Sequence, residues 1–470
     1  MKKIYTVILL LSVLIPSGCK KYLDIQPKGY VIPSKVEDFE RLLNGDAITR
    51  PLPTLLDQLS DDYYDATLNR NNYQVNSDNQ TYFWDANIFS SASDFQYSCF
   101  YNLLYANIYQ FNAIINGIDA AADGTPARKS IAKARAQALR ALSYWYLVNL
   151  YSKTYAASSS MNDPGVPLVV SNDINSKLPG RGTVQETYDF ILKDLMEAIP
   201  ALPTSAPDPF QLTKAGGYGI LARAYLMKND YTKAGEAAGQ ALAFNNKLLD
   251  YNTEYATYSA DGVNFIYPKQ DSKLKDKLSM PENIFIQYYT YTGGMAYKAV
   301  APITEKMFPD QDLRRIYFAP SSIYDEDPSK WDGTYNYLGY QSYAYSIGIS
   351  TPEMYLIRAE ASARNGKVQD AMNDINTLRK SRIKNDKYQD LVASGNADAL
   401  KIVLDERRKE LLFKGVRWFD MRRLSSDPTY GFTAKHYFND GTFVELAPNS
   451  LRYVLRLPET AITGDITQNP

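Results

Sequence analysis

Apolar residues recur at intervals of three and four through three separated stretches of the chain, a spacing that lays one apolar stripe along an α-helix. In Tyr101 to Tyr151, NLLYANIYQFNAIINGI runs up to a breaker at Asp123-Gly124-Thr125-Pro126, and IAKARAQALRALSYWYLVNLY returns, which predicts a helical hairpin. In Leu221 to Phe244, LARAYLMKNDYTKAGEAAGQALAF, the small residues Ala222, Ala234 and Ala241 fall at intervals of twelve and seven, with Tyr225 three after the first. Met354 to Arg382 repeats that spacing with Ala359 and Ala371, and Gly366 supplies the turn. These are the small-residue positions of a tetratricopeptide-type unit of about 34 residues, where alanine lets two antiparallel helices approach closely.

The helical pattern is interrupted. Between Asp250 and Pro352 lie about a hundred residues rich in Tyr, Gly, Asp and Pro with little helical period, far longer than a passive connector. The expected fold is mainly α, a scaffold of tetratricopeptide-like helix-turn-helix repeats with a large irregular, loop-rich half. Its expected division is a leader at 1–18, a helical region at 19–250, a Tyr-rich irregular insertion at 251–351, and a closing helical region at 352–470.

The leader MKKIYTVILLLSVLIPSGC has a basic start at Lys2 and Lys3, an apolar run from Ile4 to Ile15, and small residues before Cys19. It is too short to span a bilayer comfortably. Ser17-Gly18-Cys19 resembles a bacterial lipobox, in which the cysteine is acylated and becomes the first residue after cleavage. Each buried methylene contributes about 0.8 kcal/mol and durable attachment takes more than one chain, so a multiply acylated Cys19 would anchor the protein.

Charge and composition narrow the chemistry. With 51 basic and 52 acidic residues the chain carries no basic excess of the kind that neutralises nucleic acid. One histidine and two cysteines, Cys19 and Cys99, leave no four-ligand His/Cys zinc site, and no metal or other cofactor is expected. The 39 tyrosines against 18 phenylalanines suit surfaces that are wet and adhesive together.

Three constellations invite a functional reading. In ERRKELLFKGVRWFDMRRL, Glu406 to Leu424, the carboxylates Glu406 and Glu410 stand one helical turn apart, yet neighbouring Arg407, Arg408, Lys409 and Lys414 would keep them ionised and make poor proton donors. The expectation is a charged helix laced by Asp405–Lys409 and Glu410–Lys414 pairs, with Trp418 and Phe419 locking the following turn onto the core. Tyr317 to Tyr345 holds Trp331 with Tyr335, Tyr337, Tyr340, Tyr343 and Tyr345 among Asp, Asn, Ser and Gly. Flat rings cover the C–H face of a sugar while amides and carboxylates take its hydroxyls, and the same mixture suits a peptide. A second patch is DQLSDDYYD, with Tyr63 and Tyr64, together with Trp84. Asp61 and Asp62 lack the alternating oxygen ligands and glycine of a calcium loop, so hydrogen bonding is their expected role.

Several of these segments agree with one family. The run KKYLDIQPKG after Cys19, SDDYYD, PENIFIQYY from Pro281, TPEMYLIRAEASARNG from Thr351, ERRKELLFKGVRWFDMRRL and the closing LPETAITGDITQNP resemble recurring segments of SusD/RagB lipoproteins. The resemblance implies an α-rich body with about four tetratricopeptide-like hairpins on one side and an irregular ligand-facing half on the other. It also implies a non-catalytic outer-membrane lipoprotein, facing the cell exterior, that sits as a lid on a SusC-like TonB-dependent transporter and captures oligosaccharides or peptides. It carries no binding residues onto this chain. A surface glycoside hydrolase and a tetratricopeptide assembly adaptor are the rival readings.

Overall fold

The computed structural model describes residues 33–53, 55–74, 77–86, 88, 95–173, 175–260, 263–290, 298–320, 334–341 and 346–469. Its longer helices are α1 (Val36–Leu43), α2 (Phe95–Gly117), α3 (Pro126–Tyr151), α4 (Val184–Ala198), α5 (Lys214–Met227), α6 (Tyr231–Phe244), α7 (Thr351–Arg364), α8 (Val368–Lys380), α9 (Asn396–Glu410) and α10 (Arg417–Leu424). Local chemistry marks their starts. Thr125 accepts a hydrogen bond from the Arg128 amide with Pro126 in the first turn of α3, and Thr183 forms a capping box with Glu186 at α4.

The three expected hairpins are α2 with α3, α5 with α6, and α7 with α8. Helix α4 packs between α3 and α5, and α6 packs on α7, so the hairpins join into one continuous row. The alanines do what their spacing requires: Ala222, Ala234, Ala241, Ala359 and Ala371 are fully buried. Contact between α6 and α7 is so close that a Cβ on Gly235 would stand 2.7 Å from the Ala361 methyl carbon. Gly366, at φ +76°, ends α7 in the left-handed conformation that a side chain disfavours.

The described residues from Tyr251 to Ser350 form short strands, 3-10 turns and one four-residue helix, Pro302–Glu305. A buried arginine rivets this half to the helices. Arg382, just past α8, donates to Glu282 Oε1 at 2.7 Å, to the Leu249 carbonyl at 2.9 Å and to Glu410 Oε1 at 2.9 Å, and its guanidinium lies 4.1 Å from the Tyr251 ring centre.

Here the expected charge pattern of α9 needs correction. Glu406 and Glu410 do not lie on a solvent face laced by i,i+4 pairs. Both are buried, because this end of α9 meets the strand-rich half instead of water. Arg314 donates to Glu406 at 3.0 Å and to Glu410 at 3.3 Å; Lys409 completes Glu406 and Arg382 completes Glu410. Asp405 instead accepts from the Tyr430 hydroxyl at 2.7 Å. Burial favours the neutral acid, but Arg314 and Lys409 outweigh it and hold the Glu406 carboxyl down at about 2. Trp418 and Phe419 are buried in the main core, as expected of the turn after Gly415.

Candidate functional site

Four short strands place the tyrosines. Strands β1 (Tyr63–Tyr64), β2 (Lys298–Val300), β3 (Phe318–Pro320) and β4 (Tyr335–Tyr337) form one antiparallel sheet in the order β3-β4-β2-β1. It brings together two patches that stand far apart in the chain. Alternation turns Tyr63 and Tyr64 to opposite faces, whereas Tyr335 and Tyr337, two apart on β4, share one face. Tyr63 and Tyr335 are half-buried, packed against a cluster of Val300, Phe308, Phe318, Tyr337, Leu412 and Phe413. The last two belong to the charged segment, so the sheet rests directly on it.

Three expected ligand contacts are corrected by burial. Tyr337 is inside that cluster with its ring 5.2 Å from Phe413, and Tyr64 is buried on the other side of the sheet. Trp84 is 1% exposed, donates its indole N–H to the Leu59 carbonyl at 3.0 Å and sits at φ +46°. A bulky residue held in that left-handed conformation is a packing element; strain of about 1–3 kcal/mol persists only where surrounding contacts over-determine it. Trp331, Tyr343 and Tyr345 lie outside the described residues, as do Cys19 and the side chains of Cys99 and Tyr340, the latter in the 3-10 turn Leu338–Gln341.

Next to the edge strand β1, the two aspartates act as anchors. Arg417 donates to both oxygens of Asp61 at 2.7 and 2.8 Å, while Arg408 donates to Asp62 at 2.7 Å and to Thr304 at 3.0 Å. Burial acts to raise the Asp61 carboxyl, but Arg408 and Arg417 hold it well below the usual carboxylate range. Fork-on-carboxylate pairs of this kind fix orientation as well as charge. They bolt SDDYYD to ERRKELLFKGVRWFDMRRL, two of the segments on which the family resemblance rests.

This junction forms one wall of a groove of about 550 Å³, lined also by Ile303, Lys401, Asp405, Tyr430, Phe432, Lys435 and Tyr437. Tyr430, Phe432 and Tyr437 offer half-buried rings and the charged groups offer hydrogen bonds. That combination of apolar faces with a few convergent polar groups, at this volume, is the usual make-up of a small-molecule site. Sequence reasoning missed these residues. The signal was the alternation in TYGFTAKHYF, Thr429 to Phe438, whose last part becomes β5 (Ala434–Tyr437), paired with β6 (Phe443–Leu446).

His436 stands behind the groove on β5. It is fully buried, with Nδ1 2.6 Å from the Tyr82 carbonyl oxygen and Nε2 2.7 Å from that of Ser60. Among the described residues no cluster of three or more His, Cys, Asp or Glu side chains is arranged to hold a metal ion. Among the same residues no helix is long and apolar enough to cross a membrane.

Comparison with known proteins completes the picture. Residues 21–226 match the model of a family described as "Starch-binding associating with outer membrane", SusD-like, and residues 336–456 match the SusD family model, SusD/RagB. SusD-like protein P38 of Formosa agariphila is 23% identical over 313 residues, 55% of this chain and 62% of that protein, so the chain matches less than two thirds of that relative's length. SusD-like protein P2 of the same organism is 24% identical over 70% of this chain and 71% of its own. A SusD superfamily protein from Bacteroides thetaiotaomicron superposes with a TM-score of 0.71 at 19% identity, covering 93% of this chain and all of its own. A SusD-like carbohydrate binding protein from Bacteroides vulgatus gives 0.68 at 21%, covering 91% and 96%. A laminarin binding SusD-like protein gives 0.62 at 15%, covering 93% and 99%. With a sheet of tyrosines bolted by Asp61 and Asp62 to a row of helical hairpins, and with family models matching both ends of that arrangement, the chain belongs to the SusD/RagB family.

Proposed function

We propose that the chain is a non-catalytic glycan-capturing lipoprotein of the outer membrane, held on the cell exterior by an acylated Cys19. It delivers oligosaccharides to a SusC-like TonB-dependent transporter. The observation that carries the reading is the sheet that sets half-buried Tyr63 and Tyr335 on one platform, with the ring-lined groove at its edge. Laminarin and carbohydrate binding by fold relatives supports the ligand class. Stacking gives modest affinity per ring, so capture draws on several rings held in place beforehand. Trp331 and Tyr340, candidates on sequence grounds, complete the proposed contact set with Tyr63 and Tyr335.

The test is retention of the purified chain on immobilised starch and laminarin. Wild type is retained, while Tyr63→Ala with Tyr335→Ala, and separately Trp331→Ala, elute early with unchanged circular dichroism. Retention of both variants equal to that of wild type removes the site assignment. Shortened glycan products after incubation would establish hydrolysis instead.

The same architecture could serve peptides, since Tyr-rich surfaces bind both classes. Retention of a peptide library with none of either glycan would select that alternative.

A further inference from the structure

The chain has a single histidine, and capture by stacked rings makes no use of it. His436 lies between two aromatic faces, Tyr82 at 4.4 Å and 9° on one side and Trp84 at 3.9 Å and 15° on the other. Its edge meets two backbone carbonyl oxygens, at 2.6 and 2.7 Å. A carbonyl oxygen can only accept. A neutral imidazole has one N–H, so in either tautomer one bare nitrogen would set its lone pair against a carbonyl lone pair at hydrogen-bonding distance. A second proton removes that conflict, and two ring faces attract the resulting cation.

We infer that His436 is a doubly protonated imidazolium in the folded protein, tying the Ser60 and Tyr82 carbonyls together, and that this clamp positions the Asp61–Asp62 wall of the groove. Ser60 immediately precedes Asp61, and its carbonyl also accepts from the Tyr63 amide at 3.2 Å, so loss of the imidazolium donor removes one of two holds on the backbone that presents both carboxylates to Arg417 and Arg408.

The surrounding charges are accounted for on every side. Asp61 and Asp62 come from the turn before β1, and Arg417 and Arg408 from α10 and α9. Lys435 pairs with Glu445 across the β5–β6 hairpin at 3.0 Å, and Asp65 accepts from Thr67. The Tyr82 phenol, pushed up by burial, stays neutral and donates to the Tyr437 carbonyl. Burial is the largest influence on the imidazole and pushes it below its ordinary value, while the Ser60 and Tyr82 carbonyls and the carboxylates of Asp61 and Asp62 pull the other way. Against that direction, the carbonyl oxygens at 2.6 and 2.7 Å oblige both nitrogens to donate, and on this geometry the clamp requires a folded value above the unfolded one. The clamp is therefore complete below the unfolded value and is lost as pH rises through the folded one.

Because there is one histidine, its ring nitrogens give one unambiguous set of signals in a long-range proton–nitrogen correlation of the labelled full chain. Both nitrogens should be protonated at about pH 7.5, a unit above the ordinary value of about 6.5. On further titration, the Asp61 and Asp62 amide signals should move with the ring's own midpoint. His436→Phe keeps the stacked shape without the donors and should abolish that step. The effect on binding rests on the capture reading: retention on starch or laminarin should fall several-fold across the same midpoint in wild type and stay flat in His436→Phe.

A neutral, single-tautomer ring at about pH 6, below the ordinary value, overturns the inference. An imidazolium whose deprotonation leaves Asp61 and Asp62 unmoved overturns its positioning role. Absence of retention on either glycan at every pH would instead strike the capture reading, while the spectra still decide the state of the ring.

Discussion

The buried charges around α9 and α10 and the tyrosines of the four-stranded sheet share an interface yet live under opposite rules. Arg314, Arg382, Glu406 and Glu410 are enclosed, and each is completed by a partner from a distant part of the chain. Tyr63 and Tyr335 touch that seam from outside and keep part of their surface free of it. A buried ion pair is costly to break from one side, because the partner is left charged without solvent. A half-buried ring can be exchanged with little effect on its neighbours. Substitution is therefore tolerable at the half-buried rings of the sheet, and intolerable in the seam beneath.

That contrast can be broken or sharpened by experiment. The largest effect is expected for Arg382→Met, which removes the cation from buried Glu282 and leaves Glu410 with Arg314 alone; urea unfolding should show a loss of about 3–5 kcal/mol. Trp418→Ala empties a core position and should cost about 3–5 kcal/mol as well, while whatever protein remains folded keeps its glycan retention. Gly235→Leu forces a side chain into the gap between α6 and α7, and a loss of about 1–3 kcal/mol by thermal melting is expected.

Acid should act on the seam before the sheet. The Glu406 carboxyl is held below its unfolded value, so its contribution is full above about 4.5 and is lost as pH falls through about 2. Stability measured down that window should drop more steeply in wild type than in Glu406→Gln, which has no proton to gain; parallel curves would mean the charge is not stabilising. The smallest stability change belongs to Tyr63→Ala with Tyr335→Ala, about 1 kcal/mol or less, set against a large loss of retention. A double variant that unfolds would place these rings with the seam and erase the distinction.

Particular residues show how far the chain could be read before folding. Ala222, Ala234, Ala359 and Ala371 announced close helix packing, because only small residues permit it, and they lie where α5 to α8 meet. Trp418 and Phe419 were legible as core for the same local reason. Glu406 was legible as ionised but not as buried, since neither Arg314 nor the face that α9 turns inward is coded nearby. Trp84 read as a surface aromatic and proved to be an interior one, stacked on a histidine more than three hundred positions later. Tyr430, Phe432 and Tyr437 were not legible because the strand beside them, Ala434–Tyr437, is too short for its alternation to stand out from a loop.

Residue spacing alone determined the helices, their pairing into hairpins and the interruption between them, because those follow from periodicity and from contacts a few turns apart. Tertiary structure alone decided which arginine completes which carboxylate, which tyrosine faces of DQLSDDYYD and Tyr317–Tyr345 meet on one sheet, and what surrounds His436. Those outcomes depend on segments brought together only when the chain closes, and no local propensity encodes the partner across that distance.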